Sequence, residues 1–119
     1  VTGHYGCGGV KAALTNKNYG IINKWLRNIK EVYRIHKDEV ENLGSEEEKV
    51  DWLVELNVIE QVNNLAKTSI IQHAWKKEQR PMLHGWVYGL KDGILTEVLK
   101  MEPNTQLDPI YMFDFDDAH

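Results

Sequence analysis

Through most of this chain, apolar residues return every third or fourth position; near residue 82 they begin to alternate instead. Ile22, Trp25, Leu26, Ile29, Val32, Tyr33 and His36 form one such stripe, which predicts an amphipathic helix closed by Asn42-Leu43-Gly44. Lys24, Arg27, Lys30 and Lys37 make its other side basic, as a solvated face would be. Ser45-Glu46-Glu47-Glu48 reads as a capping box with an acidic first turn. It opens a second helix whose apolar face is Val50, Leu53, Val54, Val58, Val62 and Leu65. Asn57 and Gln61 lie beside that face, where amides are expected to tie the helix to neighbouring backbone. Thr68-Ser69 caps a shorter helix carrying Ile70, Ile71, Ala74 and Trp75, which Pro81 stops.

From Met82 to Tyr88 the period becomes two. Leu83, Gly85 and Val87 fall on one face, and Met82, His84, Trp86 and Tyr88 on the other. Asp92-Gly93 is a hairpin signal, so Ile94 to Leu99 should return antiparallel at a sheet edge. At the other end of the chain, Val1-Thr2 reads as the close of a strand and Val10 to Leu14 as a short helix. A helix leading into a strand is the second half of a crossover, which sets Met82–Tyr88 parallel to the strand ending at Thr2. The expected class is α/β: a mostly parallel sheet flanked by helices, with an antiparallel edge hairpin.

Between the first strand and first helix lies Gly3-His4-Tyr5-Gly6-Cys7-Gly8-Gly9. A strand that breaks through glycines into a helix sets its side chains at the carboxyl edge of the sheet, where open α/β proteins bind ligands. Imidazole and thiolate are the usual protein ligands of Zn²⁺, so a turn that lets His4 and Cys7 converge would supply two of four positions. A helix N-terminus favours the thiolate, and Gly8 and Gly9 let backbone approach a bound species. The bland alternative is a buried structural cysteine beside an ordinary histidine. A hydrolase elbow is excluded, because Tyr5 stands where that motif needs glycine. With a single cysteine there is no C-x-x-C redox pair either.

The run Gly-His-x-x-Cys-Gly-Gly-Val-x-Ala-Ala resembles the second zinc-binding segment of the β-class carbonic anhydrases. Two further blocks match that family in order, Glu55 to Leu65 and His84 to Gly93, so the resemblance runs from Val1 to about Leu99. It implies a family fold assembled as dimers or multiples of dimers, and reversible hydration of carbon dioxide to bicarbonate and a proton. In that family zinc lowers the pKa of a bound water to about 7 and so supplies the hydroxide. By motif, His4 and Cys7 would be the second and third protein ligands, Gly8 and Gly9 part of the substrate cavity, and Tyr88 near a bicarbonate-responsive site. The family's upstream Cys-x-Asp-x-Arg segment, with the first zinc cysteine and an Asp–Arg pair, has no counterpart here. Residues 1–99 are therefore expected to be the C-terminal portion of such a domain, N-terminally truncated, with catalytic residues unknown and the Zn²⁺ site incomplete. The chain alone is expected to be inactive while its full-length parent is the enzyme. The alternative is a non-catalytic scaffold that kept the fold.

Composition narrows the remaining choices. A net charge of −4 over 119 residues gives no support for nucleic-acid or anionic-membrane binding. No apolar run approaches the length of a membrane span, and lone Cys7 excludes an internal disulfide, so a cytoplasmic setting is the expectation. Residues 100–119 lose periodicity but keep Ile110, Tyr111, Met112, Phe113 and Phe115. That tail is expected to dock on its own domain or a partner subunit; Asp116, Asp117 and His119 are remote candidates for a metal ligand.

Overall fold

A computed structural model of the chain describes residues 1–115. A short strand, β1 (Thr2–His4), leads into α1 (Gly8–Ala13). Then come α2 (Ile22–Ile35), α3 (Lys37–Glu41), the long α4 (Glu46–Ala66) and α5 (Ser69–Glu78). β2 (Leu83–Tyr88) and β3 (Leu95–Met101) complete a three-stranded sheet in the order β1-β2-β3. β1 and β2 are parallel, with Thr2 opposite Trp86 and His4 opposite Tyr88. β3 returns antiparallel beside β2, so this α/β sheet is mixed, with one pairing of each kind. The strands run further than expected, β1 through His4 and β3 through Met101. Between Gly85 and Trp86 the register shifts, leaving Val98 as the extra residue of a bulge.

The two predicted caps form. Glu48 N–H donates to Ser45 Oγ at the start of α4, and Ile71 N–H to Thr68 Oγ1 at the start of α5. The helix expected from Ile22 to Asn42 is instead interrupted at His36, whose φ of −109° and ψ of 20° are not helical. There His36 Nδ1 bonds Glu39 Oε2 at 2.7 Å, and beyond the break Val40 enters the core completely. Leu65 is more exposed than its stripe implied, while Leu56 is buried, because α4 packs against α2 and α3 as well as the sheet.

α4 crosses all three strands, and glycine allows it to come close. A Cβ on Gly85 would lie 2.9 Å from Val58 Cγ1 and 3.1 Å from Val62 Cγ2; one on Gly3 would lie 2.9 Å from Val58 Cγ2. The core follows from this seat: Leu53, Val54, Val58 and Val87 join Leu26, Ile29 and Val32 from α2, Val40 from α3 and Val10 from α1. Leu83, Val62, Ala66, Trp75 and Met101 make a second cluster under α5.

Beyond Met101 the chain passes through a 3₁₀ turn (Pro109–Tyr111) and lies along α5. Buried Gln72 holds it: Nε2 donates to the carbonyls of Ala66 (3.1 Å) and Tyr111 (2.9 Å), and Oε1 accepts from Phe113 N–H (2.9 Å). Lys76 Nζ donates to the Phe115 carbonyl, and Lys67 stands over the Tyr111 ring. Asp116, Asp117 and His119 lie outside the described residues.

Two outcomes test this packing. Gly85→Ala should lower stability by about 1–3 kcal/mol, since β-branched Val58 and Val62 have stiff side chains and α4 must move instead. Urea unfolding would show a reduced midpoint with an unchanged slope. Gln72→Ala should cost about 1–3 kcal/mol and speed proteolytic clipping after Tyr111 several-fold, because three hydrogen bonds are lost together.

Candidate functional site

His4 ends β1 and Cys7 is the N-cap of α1, so the fold sets the two candidate donors on either side of a Tyr5-Gly6 turn. The turn is held on several sides. Tyr5 N–H donates to the Tyr88 carbonyl at 3.0 Å, extending the parallel ladder one step past β1. Gly6, at φ +69°, adopts the left-handed conformation that glycine tolerates, and its N–H donates to Asp51 Oδ1 on α4 at 3.0 Å. The Cys7 carbonyl accepts from Lys11 N–H and so starts the helix.

His4 is exposed, and its Nδ1–H donates to the Tyr5 carbonyl at 3.0 Å. That bond selects the tautomer whose lone pair is on Nε2, the usual arrangement of a metal-binding imidazole. Cys7 is half-buried, with extended backbone (φ −63°, ψ 121°) and no side-chain capping bond. Gly8 has open space where a side chain would stand. A Cβ on Gly9 would make ordinary contact with Cys7 Sγ and the Trp25 ring, at 3.8 and 3.9 Å. Tyr88 is level with His4 across the sheet, and its hydroxyl lies beside Gly93 in the hairpin loop.

Two acids of α4 stand behind the turn and were not singled out from sequence. Asp51 holds Gly6, and Glu55 faces the Tyr5 hydroxyl. Burial, with the neighbouring Asp51 charge, raises the Glu55 carboxyl above the ordinary range; the Tyr5 hydroxyl offsets part of the rise. Burial and Glu55 push the Tyr5 phenol up in turn. The only local signal for either acid was its four-residue spacing on a helix, which any solvated face can show. Asn57 and Gln61, expected to bind neighbouring backbone, instead bond each other at 3.2 Å along α4.

The donors are of the right kind for zinc, but there are too few of them. Among the described residues no group of three or more His, Cys, Asp or Glu side chains could hold a metal ion. Zinc takes three protein ligands and a water, or four protein ligands. His4 and Cys7 are half of a four-ligand set.

A family model described as carbonic anhydrase matches residues 1–95. A carbonic anhydrase of Emericella nidulans is 48% identical over 98 residues, which is 82% of this chain and 43% of that protein. Among solved structures, the Coccomyxa β-carbonic anhydrase in complex with acetazolamide superposes with a TM-score of 0.79 at 34% identity, over 86% of this chain and 47% of that one. A tetrameric β-carbonic anhydrase of Sordaria macrospora does so with a TM-score of 0.76 at 28% identity, over 81% and 49%. The chain thus spans less than half the length of each of these relatives. A histidine and a cysteine framing a glycine turn at the end of a parallel strand, this superposition, and a family match across most of the chain agree: the protein belongs to the β-class carbonic anhydrases.

Proposed function

We propose that this chain contributes His4 and Cys7 to a zinc centre that reversibly hydrates carbon dioxide to bicarbonate and a proton. The remaining cysteine ligand and the Asp–Arg pair would come from a Cys-x-Asp-x-Arg segment carried elsewhere in the protein or on another chain. The observation that carries this reading is the turn itself. Its exposed histidine is held through Nδ1 with the lone pair on Nε2, its cysteine opens a helix, and three separate elements, β2, α4 and α1, hold the backbone between them.

Gly8 and Gly9 then belong to the wall of the substrate cavity, consistent with the open space at Gly8. Tyr88, level with His4, would belong to a bicarbonate-responsive site. Asp51 acts as a positioning residue for the turn rather than as a ligand, because its carboxylate is engaged by Gly6. Assembly as dimers or multiples of dimers, and a cytoplasmic setting, complete the proposal. A tetrameric relative supports the assembly. No described helix is long and apolar enough to cross a membrane.

A scaffold that kept the fold without the chemistry is the second reading, favoured by the lack of a third donor among the described residues. Zinc content separates the two. After exchange against a mild chelator, the chain alone should retain no more than about a tenth of an equivalent of zinc, since two ligands hold the ion poorly. Mixing it with the portion of the Emericella nidulans relative that lies outside the match should raise zinc toward one equivalent and produce carbon dioxide hydration in a stopped-flow indicator assay. His4→Ala or Cys7→Ser should abolish both gains. Neither gain on mixing would leave the scaffold reading standing, whereas one tightly held zinc in the chain alone would overturn the half-site.

A further inference from the structure

α1 spans only Gly8–Ala13, begins with two glycines, and has no side-chain bond at its Cys7 N-cap. A helix so short, opened by Gly8 and Gly9, does not hold itself in water. Its placement comes from α2, which packs against it. Val10 and Ala13 are buried in one cluster with Leu26 and Ile29, and a Cβ on Gly9 would meet the Trp25 ring at 3.9 Å. At the far end of α1, Lys30 Nζ donates to the Ala13 carbonyl and to the Thr15 carbonyl, each at 2.7 Å. The spacing of α2 assigned Lys30 to a solvated basic face. It is instead half-buried, with its ammonium on the end of the neighbouring helix, while Lys24 and Arg27 of the same face stay exposed.

We propose that Lys30 is a positioning residue for Cys7 and acts through α1. The last carbonyls of a helix lack partners within it, and a cation beside them is also favoured by the helix dipole. Apolar contacts between α1 and α2 are not directional, so they resist separation better than they resist sliding. The two Lys30 bonds are directional and charge-assisted, and they fix where α1 ends along its own axis. Cys7 lies about 9 Å away at 1.5 Å per residue, and a helix that moves as one piece passes a displacement of Ala13 on to it. On its other side the thiol follows a turn held at Tyr5 by the Tyr88 carbonyl and at Gly6 by Asp51. Lys30 supplies the matching constraint from beyond the helix, so that Cys7 is fixed between two anchors. Its consequence for a metal rests on the zinc reading above; the hold on Cys7 itself does not.

Amide hydrogen exchange on the metal-free 119-residue chain tests it, with circular dichroism to confirm that each variant is folded. The reporter is the Lys11 amide, which donates to the Cys7 carbonyl; the reference is the amide of Val62, buried in α4. Lys30→Met keeps the apolar stem and removes the donors. It should lower the protection of Lys11 by at least about tenfold relative to Val62. Lys30→Gln, a second variant without the charge, should act in the same direction. Lys30→Arg should restore most of the protection, because a guanidinium has donors for both carbonyls. A residue that served only overall stability would shift Lys11 and Val62 together. In the mixture with the unmatched portion of the Emericella nidulans relative, Lys30→Met should weaken zinc retention against a chelator by at least about fivefold, again restored by Lys30→Arg. Three outcomes overturn the proposal. They are a Lys11 amide without protection in the unaltered chain, a Lys30→Met effect that is absent or equal at both amides, and a zinc affinity that Lys30→Met leaves unmoved. If the unaltered mixture takes up no zinc, the zinc reading fails by itself, and hydrogen exchange still decides whether Lys30 holds Cys7.

Discussion

Everything in this small molecule rests on how closely one helix lies on the sheet. Val58 sits over both Gly3 and Gly85, on strands that are 82 positions apart in sequence but paired in space. Missing side chains on the strands let the methyl groups of α4 occupy the space, which converts a three-stranded sheet of modest area into the floor of a dense core. The parallel β1–β2 pair has no tight turn to fix its register. Its alignment is stabilised by the helix that bridges it, because a slip of one residue would put side chains where only glycine fits.

The His4–Cys7 turn inherits its position from that seat. α4 contributes the valines that place β1 and, one turn further toward its N-terminus, the acids that face the loop after β1. Backbone bonds to Tyr88 and Asp51 approach the turn from two different elements, so its geometry is set by tertiary structure rather than by local propensity. This is a common arrangement for metal-binding side chains, which must be held before the ion arrives. The burial that raises the Glu55 carboxyl and the Tyr5 phenol marks the inner side of the same turn, while His4 stays exposed.

Much of the fold was legible in the sequence because it depends on short-range spacing. The period of α4, the alternation of β2, the Ser45 and Thr68 caps and the Asp92-Gly93 reversal are all local signals, and each appears where it was read. What escaped notice depends on contacts between distant residues. β1 runs on to His4 because β2 lies beside it, and α2 breaks at His36 where Glu39 captures the ring and Val40 turns inward. Asp51 could not be recognised, since the amide it accepts from is 45 residues upstream. At the site the donors were legible as a motif, whereas the reason that the motif is rigid was not. Trp25 was placed correctly on the α2 stripe, yet the spacing alone could not say that the stripe is wider than the core it covers.

The hydrogen bond from Tyr5 to Tyr88 has one further consequence. It joins the loop between the candidate donors to the last residue of β2, one step before the hairpin reversal at Gly89. Opening of that reversal and loosening of the donor loop are therefore not independent fluctuations. The two segments share one backbone link and should exchange their amide protons with solvent in a correlated way. A disturbance at the rim of the sheet would thus be felt at His4 as a change in the lifetime of its preferred orientation, even where its mean position is unchanged.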